Sequence, residues 1–190
     1  MTYKEAVSLV LDILDNASEE NPIVIAIDGR SASGKSTFSK EISNISGVPV
    51  LHTDDFFRPR DEKGNLNISE YDGNFDIERF YNEAVQGIKS NTDFEIGIFD
   101  CSKGYISKKK QYPKSNCYII EGAYSHNPKL GNYANVRLFF DVEKITQQER
   151  ILKRNGEIAL EKYLSLWIPA EERYIEHYNI TEKSDYIINN

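Results

Sequence analysis

The 190-residue chain reads as an α/β protein with a mainly parallel sheet and helices on both faces. Two observations predict this. Apolar runs of strand length alternate along the chain with stretches whose apolar residues recur at helical spacing. A glycine-containing turn at 29–36 joins the first apolar run directly to a helix, as in a strand–turn–helix unit.

The elements follow in order. Near the N-terminus, Ala6, Leu9, Val10, Ile13 and Leu14 lie at helical spacing, which predicts a helix with one buried face in the first 20 residues. Residues 23–27 form the first strand, 35–45 a helix that closes near Gly47, and 48–51 a short strand. A helix over 77–88 has Asp76 placed as its cap. Strands are expected at 94–99, 117–120, 136–142 and 186–188. Helices are expected at 145–154 and 159–178, the latter broken around Pro169. Residues 64–73 are a polar, glycine-containing excursion, suited to a substrate-side loop. There is no internal repeat or low-complexity linker, so 1–190 reads as one domain.

Composition narrows the function. Hydrophobic residues make up 39% and charged residues 28%, enough for one sizeable core. The net charge of −7 argues against broad nucleic-acid or anionic-membrane binding, which needs a basic surface. Lys108, Lys109 and Lys110 are the compact basic run, read as a solvated loop. No stretch reaches the length of a membrane span, and residues 3–14 are interrupted by Lys4, Glu5 and Asp12, unlike a signal peptide. Cys101 and Cys117 have no metal or redox spacing, and Cys117 falls in an apolar strand as a buried thiol. The expected location is cytoplasmic.

The stretch Gly29-Arg30-Ser31-Ala32-Ser33-Gly34-Lys35-Ser36 fits the phosphate-loop pattern G-x-x-x-x-G-K-[S/T] at every fixed position. Its glycines let backbone approach a phosphate closely. Successive N–H groups, together with those opening the next helix up to Thr37, form an anion-binding nest. Lys35 reaches β- and γ-phosphates, and the Ser36 hydroxyl suits Mg²⁺. The alternative, an ordinary Gly/Ser turn with a surface lysine, does not account for the strand before it and the helix after it.

Ligands in such sheets bind beyond the carboxyl ends of the strands. Those ends carry acids here: Asp28, Asp54-Asp55, Glu121 and Asp141. Asp54 suits a general base, a Mg²⁺ ligand, or both. Glu121 suits Mg²⁺, or the cap of a nearby helix. Of Asp54 and Asp55 only one should face the site, because successive side chains diverge. Arg150, Lys153 and Arg154 share one helical face, either as a lid over nucleotide or as a solvated basic face. His126 and Tyr124 read as structural, with a place at the mouth of the site as the lesser alternative for each, and Trp167 reads as packing at the helix break.

These residues resemble the uridine kinase-like branch of P-loop kinases, a group that also includes nicotinamide riboside kinase, phosphoribulokinase and bacterial pantothenate kinase. The stretches that carry the resemblance are IAIDGRSASGKST at 25–37, HTDDFF at 52–57, NFD at 74–76, FDC at 99–101, IIEG at 119–122 and the 150–154 segment. They run in family order over about 23–188.

The resemblance implies a three-layer α/β/α fold of the P-loop NTPase type, with a nucleotide-binding core at 23–142 and a helical lid at about 144–168. It also implies a small-molecule kinase that moves the γ-phosphoryl group of ATP, with Mg²⁺, to a hydroxyl of a nucleoside or ribose-like metabolite. In that reading residues 29–37 hold ATP, and Lys35, Arg150 and Arg154 assist catalysis. Asp54 is the base, and Ser36, Asp54 and Glu121 serve Mg²⁺. Asp76, Phe99, Asp100 and Arg154 meet the acceptor. A homo-oligomer is plausible by the resemblance alone.

Uridine-cytidine kinases carry a base-reading Tyr and His where this chain has Phe99 and Gly104, so uridine itself is a doubtful acceptor. The competing reading is a nucleotide switch or regulatory ATPase acting on a protein partner. The chain has no guanine-reading Asn-Lys-x-Asp motif of a GTPase.

Overall fold

The computed structural model describes residues 1–18 and 22–190, so the last residues of the expected N-terminal helix segment, 19 and 20, lie outside the described residues. Strands β1 (Ile23–Gly29), β2 (Val50–His52), β5 (Cys117–Glu121), β6 (Val136–Asp141) and β7 (Tyr186–Asn189) form one sheet in the order β2-β5-β1-β6-β7. Every neighbouring pair is parallel. The first strand lies at the centre, and the chain crosses over to both of its sides. The glycine loop that follows β1 therefore opens at a topological switch point.

Period-two alternation in β1 feeds two cores. Val24 and Ala26 join one apolar cluster, and Ile25 and Ile27 join the other. On one face, α1 (Tyr3–Asp15) and α2 (Lys35–Ser46) supply Ala6, Val10, Phe38 and Ile42, all fully buried. Burying a side chain such as Phe38 or Ile42 contributes about 1.5–3 kcal/mol. Helix α1 begins with a capping box in which Thr2 and Glu5 satisfy each other's backbone N–H groups. Tyr3 lies edge-on to Phe38 with ring centroids 5.4 Å apart and donates to Glu41, so this helix is an integral wall of the core.

The opposite face is covered by α3 (Ile77–Phe80), α4 (Gln86–Lys89) and α7 (Ile168–Tyr178), through Phe80, Ala84, Ile88, Tyr174 and Ile175. A π turn, Tyr81–Val85, joins α3 to α4, so the expected helix 77–88 is present with one widened turn. Asp76 caps it by accepting from the Arg79 N–H at 3.0 Å.

Two expectations are corrected. The lysines 108–110 are not in a loop. They lie in β4 (Tyr105–Tyr112), which pairs antiparallel with β3 (Phe94–Asp100) as a separate hairpin outside the main sheet. Its outer strand is almost wholly exposed, so it lacks the alternation that would have marked it. Pro169 does not break the helix: α5 (Lys144–Asn155) is followed by α6 (Glu157–Lys162), a π turn Tyr163–Trp167 and α7, with right-handed helical dihedrals at Tyr163, Trp167 and Ile168. Proline lacks an N–H and crowds the carbonyl one turn back. A π turn directly before it removes the need for that hydrogen bond. The break falls instead at Gly156, with φ +81°, and 157–168 runs without a stop into α7. Among the described residues no helix is long and apolar enough to cross a membrane.

Candidate active site

The glycine loop is held from several sides. Gly29 has φ +142°, and a Cβ there would lie 2.1 Å from the Phe140 carbonyl oxygen, so only glycine fits. Arg30 turns its side chain away from the loop mouth. Its guanidinium pairs with both carboxylate oxygens of Glu172 and with Asp141. These carboxylates hold its pKa above the usual value, with the Glu172 hydrogen bond the largest cause. The Ser31 N–H and hydroxyl both donate to Glu171 on α7. Gln147 and Arg150 of α5 donate to the carbonyls of Ser31 and Ala32, and Asn190 to that of Ser33. Ala32 sits at φ +59°, a left-handed conformation that turns the loop back on itself. Helix α2 starts at Lys35, and its free first-turn N–H groups face the same hollow. The Lys35 ammonium donates to the carbonyls of Gly29 and Arg30 at 2.7 and 2.9 Å.

The strand-end acids divide by partner. Asp28 is buried and accepts from the Gly29 and His126 N–H groups and from the Tyr174 hydroxyl, which makes it a structural clamp. Asp141 is taken by Arg30. Glu121 is buried and faces the loop. One oxygen lies 3.3 Å from Ser36 Oγ and the other 2.6 Å from His52 Nδ1. That hydrogen bond is the main cause that raises the His52 pKa, against the opposing effect of burial. Gly122 follows at φ +132°, where a Cβ would meet Thr53 Oγ1 at 2.0 Å, so the β5 end and the turn after β2 lie in close contact.

Asp54 lies in the 3₁₀ turn Thr53–Phe56 that ends β2. Its carboxyl points into a cleft, and its pKa is raised, first by desolvation and then by the Glu121 charge, with Lys35 and His52 opposing. The residue keeps open access to solvent through the cleft mouth, so water screens the shift. Asp55 is not part of that lining and lies under the influence of His52, Lys110 and Arg79.

The cleft has a volume of about 340 Å³. Lys35, Ser36, Asp54, Glu121 and Arg154 line one side of it, and Phe57, Arg60, Asn74 and Phe99 line the other. A second hollow of about 450 Å³ runs along the outer side of the loop past Gly34, Thr37, Arg150 and Arg154. The two hollows share Ala32, Lys35, Ser36 and Arg154, so a long ligand can span both. Among the described residues no group of three His, Cys, Asp or Glu side chains clusters as a metal cage. Magnesium commonly takes one or two carboxylates and fills its shell with phosphate and water.

Most expected site residues converge on these hollows. Asp76 and Asp100 do not line the cleft: Asp76 caps α3, and Asp100 binds the Ser102 hydroxyl and pairs with Lys103. Asn74 and Cys101, their near neighbours, line it instead. His126 is buried against Ala26 and Ser184, as a structural residue would be. Trp167 and Tyr124 both reach the cleft. Sequence reasoning missed Glu171, Glu172 and Arg60. The acids lie 140 and 142 residues from the loop residues they grip, and no local pattern marks them.

No family model matches the chain. It is 28% identical over 175 residues to a uridine kinase of Chlamydia pneumoniae, covering 81% of this chain and 76% of that protein. It is 23% identical to a longer chloroplastic uridine/cytidine kinase of Arabidopsis thaliana, of which it spans 37%. In fold it is similar to a protein of Bacillus stearothermophilus described as a possible uridine kinase, with TM-score 0.72, 17% identity, and 97% and 98% of the two chains covered. It is also similar to a D-glycerate 3-kinase of Cryptococcus neoformans, with TM-score 0.64, 12% identity, and 98% and 95% covered. The sequence likeness to a uridine kinase thus spans four-fifths of the chain, and the fold likeness to proteins described as kinases spans nearly all of it.

Proposed function

We propose that this protein transfers the γ-phosphoryl group of ATP to a hydroxyl of a small nucleoside or ribose-like metabolite. The observation that carries the reading is the junction of the two hollows at Lys35 and Ser36, with Asp54 and Glu121 facing it. ATP would lie along the loop hollow, its phosphates cradled by residues 29–37. The acceptor would enter the cleft from the Phe57, Asn74 and Phe99 side, with Asp76 and Asp100 close behind that wall.

Asp54 accepts the proton of the acceptor hydroxyl as its oxygen bonds to the γ-phosphorus. The bond to the β–γ bridging oxygen breaks, and ADP leaves. Lys35, released from the loop carbonyls it binds in this structure, follows the charge on the moving group. Arg154 and Arg150, from the 144–168 segment acting as a lid, do the same from above. Ser36, Asp54 and Glu121 would hold a magnesium ion, which supplies neutralising charge on the phosphate oxygens. The fit rests on hard oxygen donors facing one another: Ser36 Oγ lies 3.3 Å from a buried Glu121 oxygen.

The test is ADP release from ATP and Mg²⁺ against uridine, cytidine, nicotinamide riboside, pantothenate, sugars and phosphosugars. The reading predicts stimulation by at least one acceptor, lost in Lys35→Met. Hydrolysis that no acceptor stimulates, together with a stable protein partner, would instead favour a nucleotide switch.

A further inference from the structure

We infer that the acceptor carries a negative charge, as a carboxylate or phosphate group beside its hydroxyl, and that Arg60 recognises it; this rests on the kinase reading above. Arg60 is the cation on the acceptor wall of the cleft, among Phe57, Leu66, Asn74, Phe99 and Cys101, whose side chains bear no formal charge at neutral pH. The other cationic lining residues, Lys35, Arg154 and Lys162, belong to the phosphate loop and the lid segment. Lys35 and Arg154 also line the hollow along the loop, where nucleotide phosphates would occupy them.

The arginine is positioned by backbone. Its N–H donates to the Gly104 carbonyl at 3.0 Å, and its Nη1 donates to the Gly64 carbonyl at 2.9 Å. Its side chain lies across Gly104, where an added Cβ would come 2.6 Å from Arg60 Cδ and 2.9 Å from Nε. Gly104 also has φ +79°, so the turn after β3 both requires a glycine and leaves the space that the arginine fills. Among the described residues Arg60 has no carboxylate within ion-pair distance and no acceptor besides the Gly64 carbonyl. A guanidinium carries five donors in a fixed fork. Most of that fork is therefore free at the mouth of a cleft otherwise lined, on this wall, by apolar groups and one amide. A fork of this kind matches a planar carboxylate or a phosphate, with charge-assisted hydrogen bonds. It has no comparable use for a neutral sugar or base. The acidic side of the cleft, Asp54, Glu121 and Glu171, lies at the loop end, where magnesium and the reacting hydroxyl are expected.

Paired acceptors test this: glycerol against glycerate, and ribose against ribose 5-phosphate, each followed by ADP release in wild type, Arg60→Gln and Arg60→Lys. The inference predicts that one charged member is preferred over its neutral partner by at least about 10-fold in kcat/KM, the usual scale of one charge-assisted contact. The preference should be lost in Arg60→Gln through KM and partly restored in Arg60→Lys. The glycerate and phosphosugar arms separate the carboxylate source from the phosphate source. Turnover of neutral uridine or ribose equal to or better than that of every charged acceptor, with the same ratio in Arg60→Gln, overturns the inference and leaves the kinase reading standing. If no acceptor stimulates ADP release, the kinase reading itself fails and this inference with it. Binding of ribose 5-phosphate and glycerate by calorimetry gives a second readout. Tighter binding than ribose and glycerol, weakened at least about 10-fold by Arg60→Gln, is expected, and equal affinity for charged and neutral members counts against the inference.

Discussion

Asp54 shows how much one position depends on its surroundings. Its sequence neighbour Asp55 is chemically identical, but the 3₁₀ turn sends only Asp54 into the cleft. Burial and the Glu121 charge push its pKa up. A carboxyl whose folded pKa is raised favours the protonated folded state, so stability falls as pH rises through that pKa. In nucleotide- and metal-free protein, Asp54→Asn should therefore raise the melting temperature at pH 7 relative to wild type, with the difference shrinking toward pH 3. A pH series of thermal melts checks this, and an equal difference at both ends would contradict it. Gly122 makes a second residue-scale case. With φ +132° and Thr53 Oγ1 2.0 Å from any Cβ, Gly122→Ala should cost at least about 1–3 kcal/mol from backbone strain alone. Chemical denaturation would show this as a lower midpoint.

At the scale of elements, the strand–loop–helix unit was legible because its requirements are local: two glycines, a lysine and a hydroxyl at fixed spacing between an apolar run and a helical one. The acids at the strand ends were legible for a similar reason, since a carboxylate ending a buried strand calls for a partner. Their partners were not. Arg30 satisfies Asp141, and His52 and Ser36 satisfy Glu121, through contacts that only the sheet order creates. The hairpin β3–β4 was half legible: β3 is apolar enough to mark, whereas β4 is a solvated run of lysines. The grip of α7 on the loop carries its own prediction. The Arg30–Glu172 fork is partly buried, so Glu172→Ala should destabilise by about 1–3 kcal/mol and raise KM for ATP several-fold as the loop loosens. An unchanged KM for ATP would mean that the fork supports only the fold.

Across the whole molecule, two cores on either side of a five-stranded parallel sheet fix where the strand ends open. The chain's first helix and last residues belong to this design: Tyr3 packs on α2, and Asn190 binds the phosphate loop at Ser33. His126 ties the far side together, bonded to Ala26 and Ser184 and buried enough that its pKa is lowered. A histidine with a depressed folded pKa contributes stability that is present above its unfolded pKa and lost as pH falls below it. Wild type should accordingly lose more stability than His126→Gln between pH 7.5 and 5.5, about a unit either side of the unperturbed value. Denaturant titrations at both values measure the difference, and parallel losses would remove His126 as the cause.

Asp54 is proposed to activate an acceptor hydroxyl for attack on ATP. The measurement that tests it most directly is acceptor-dependent ADP release by Asp54→Asn beside wild type, with ATP binding measured on both. The acceptor-stimulated rate should fall by about 10²- to 10⁴-fold while ATP still binds. A variant that turns over the acceptor at the wild-type rate would show that the base lies elsewhere.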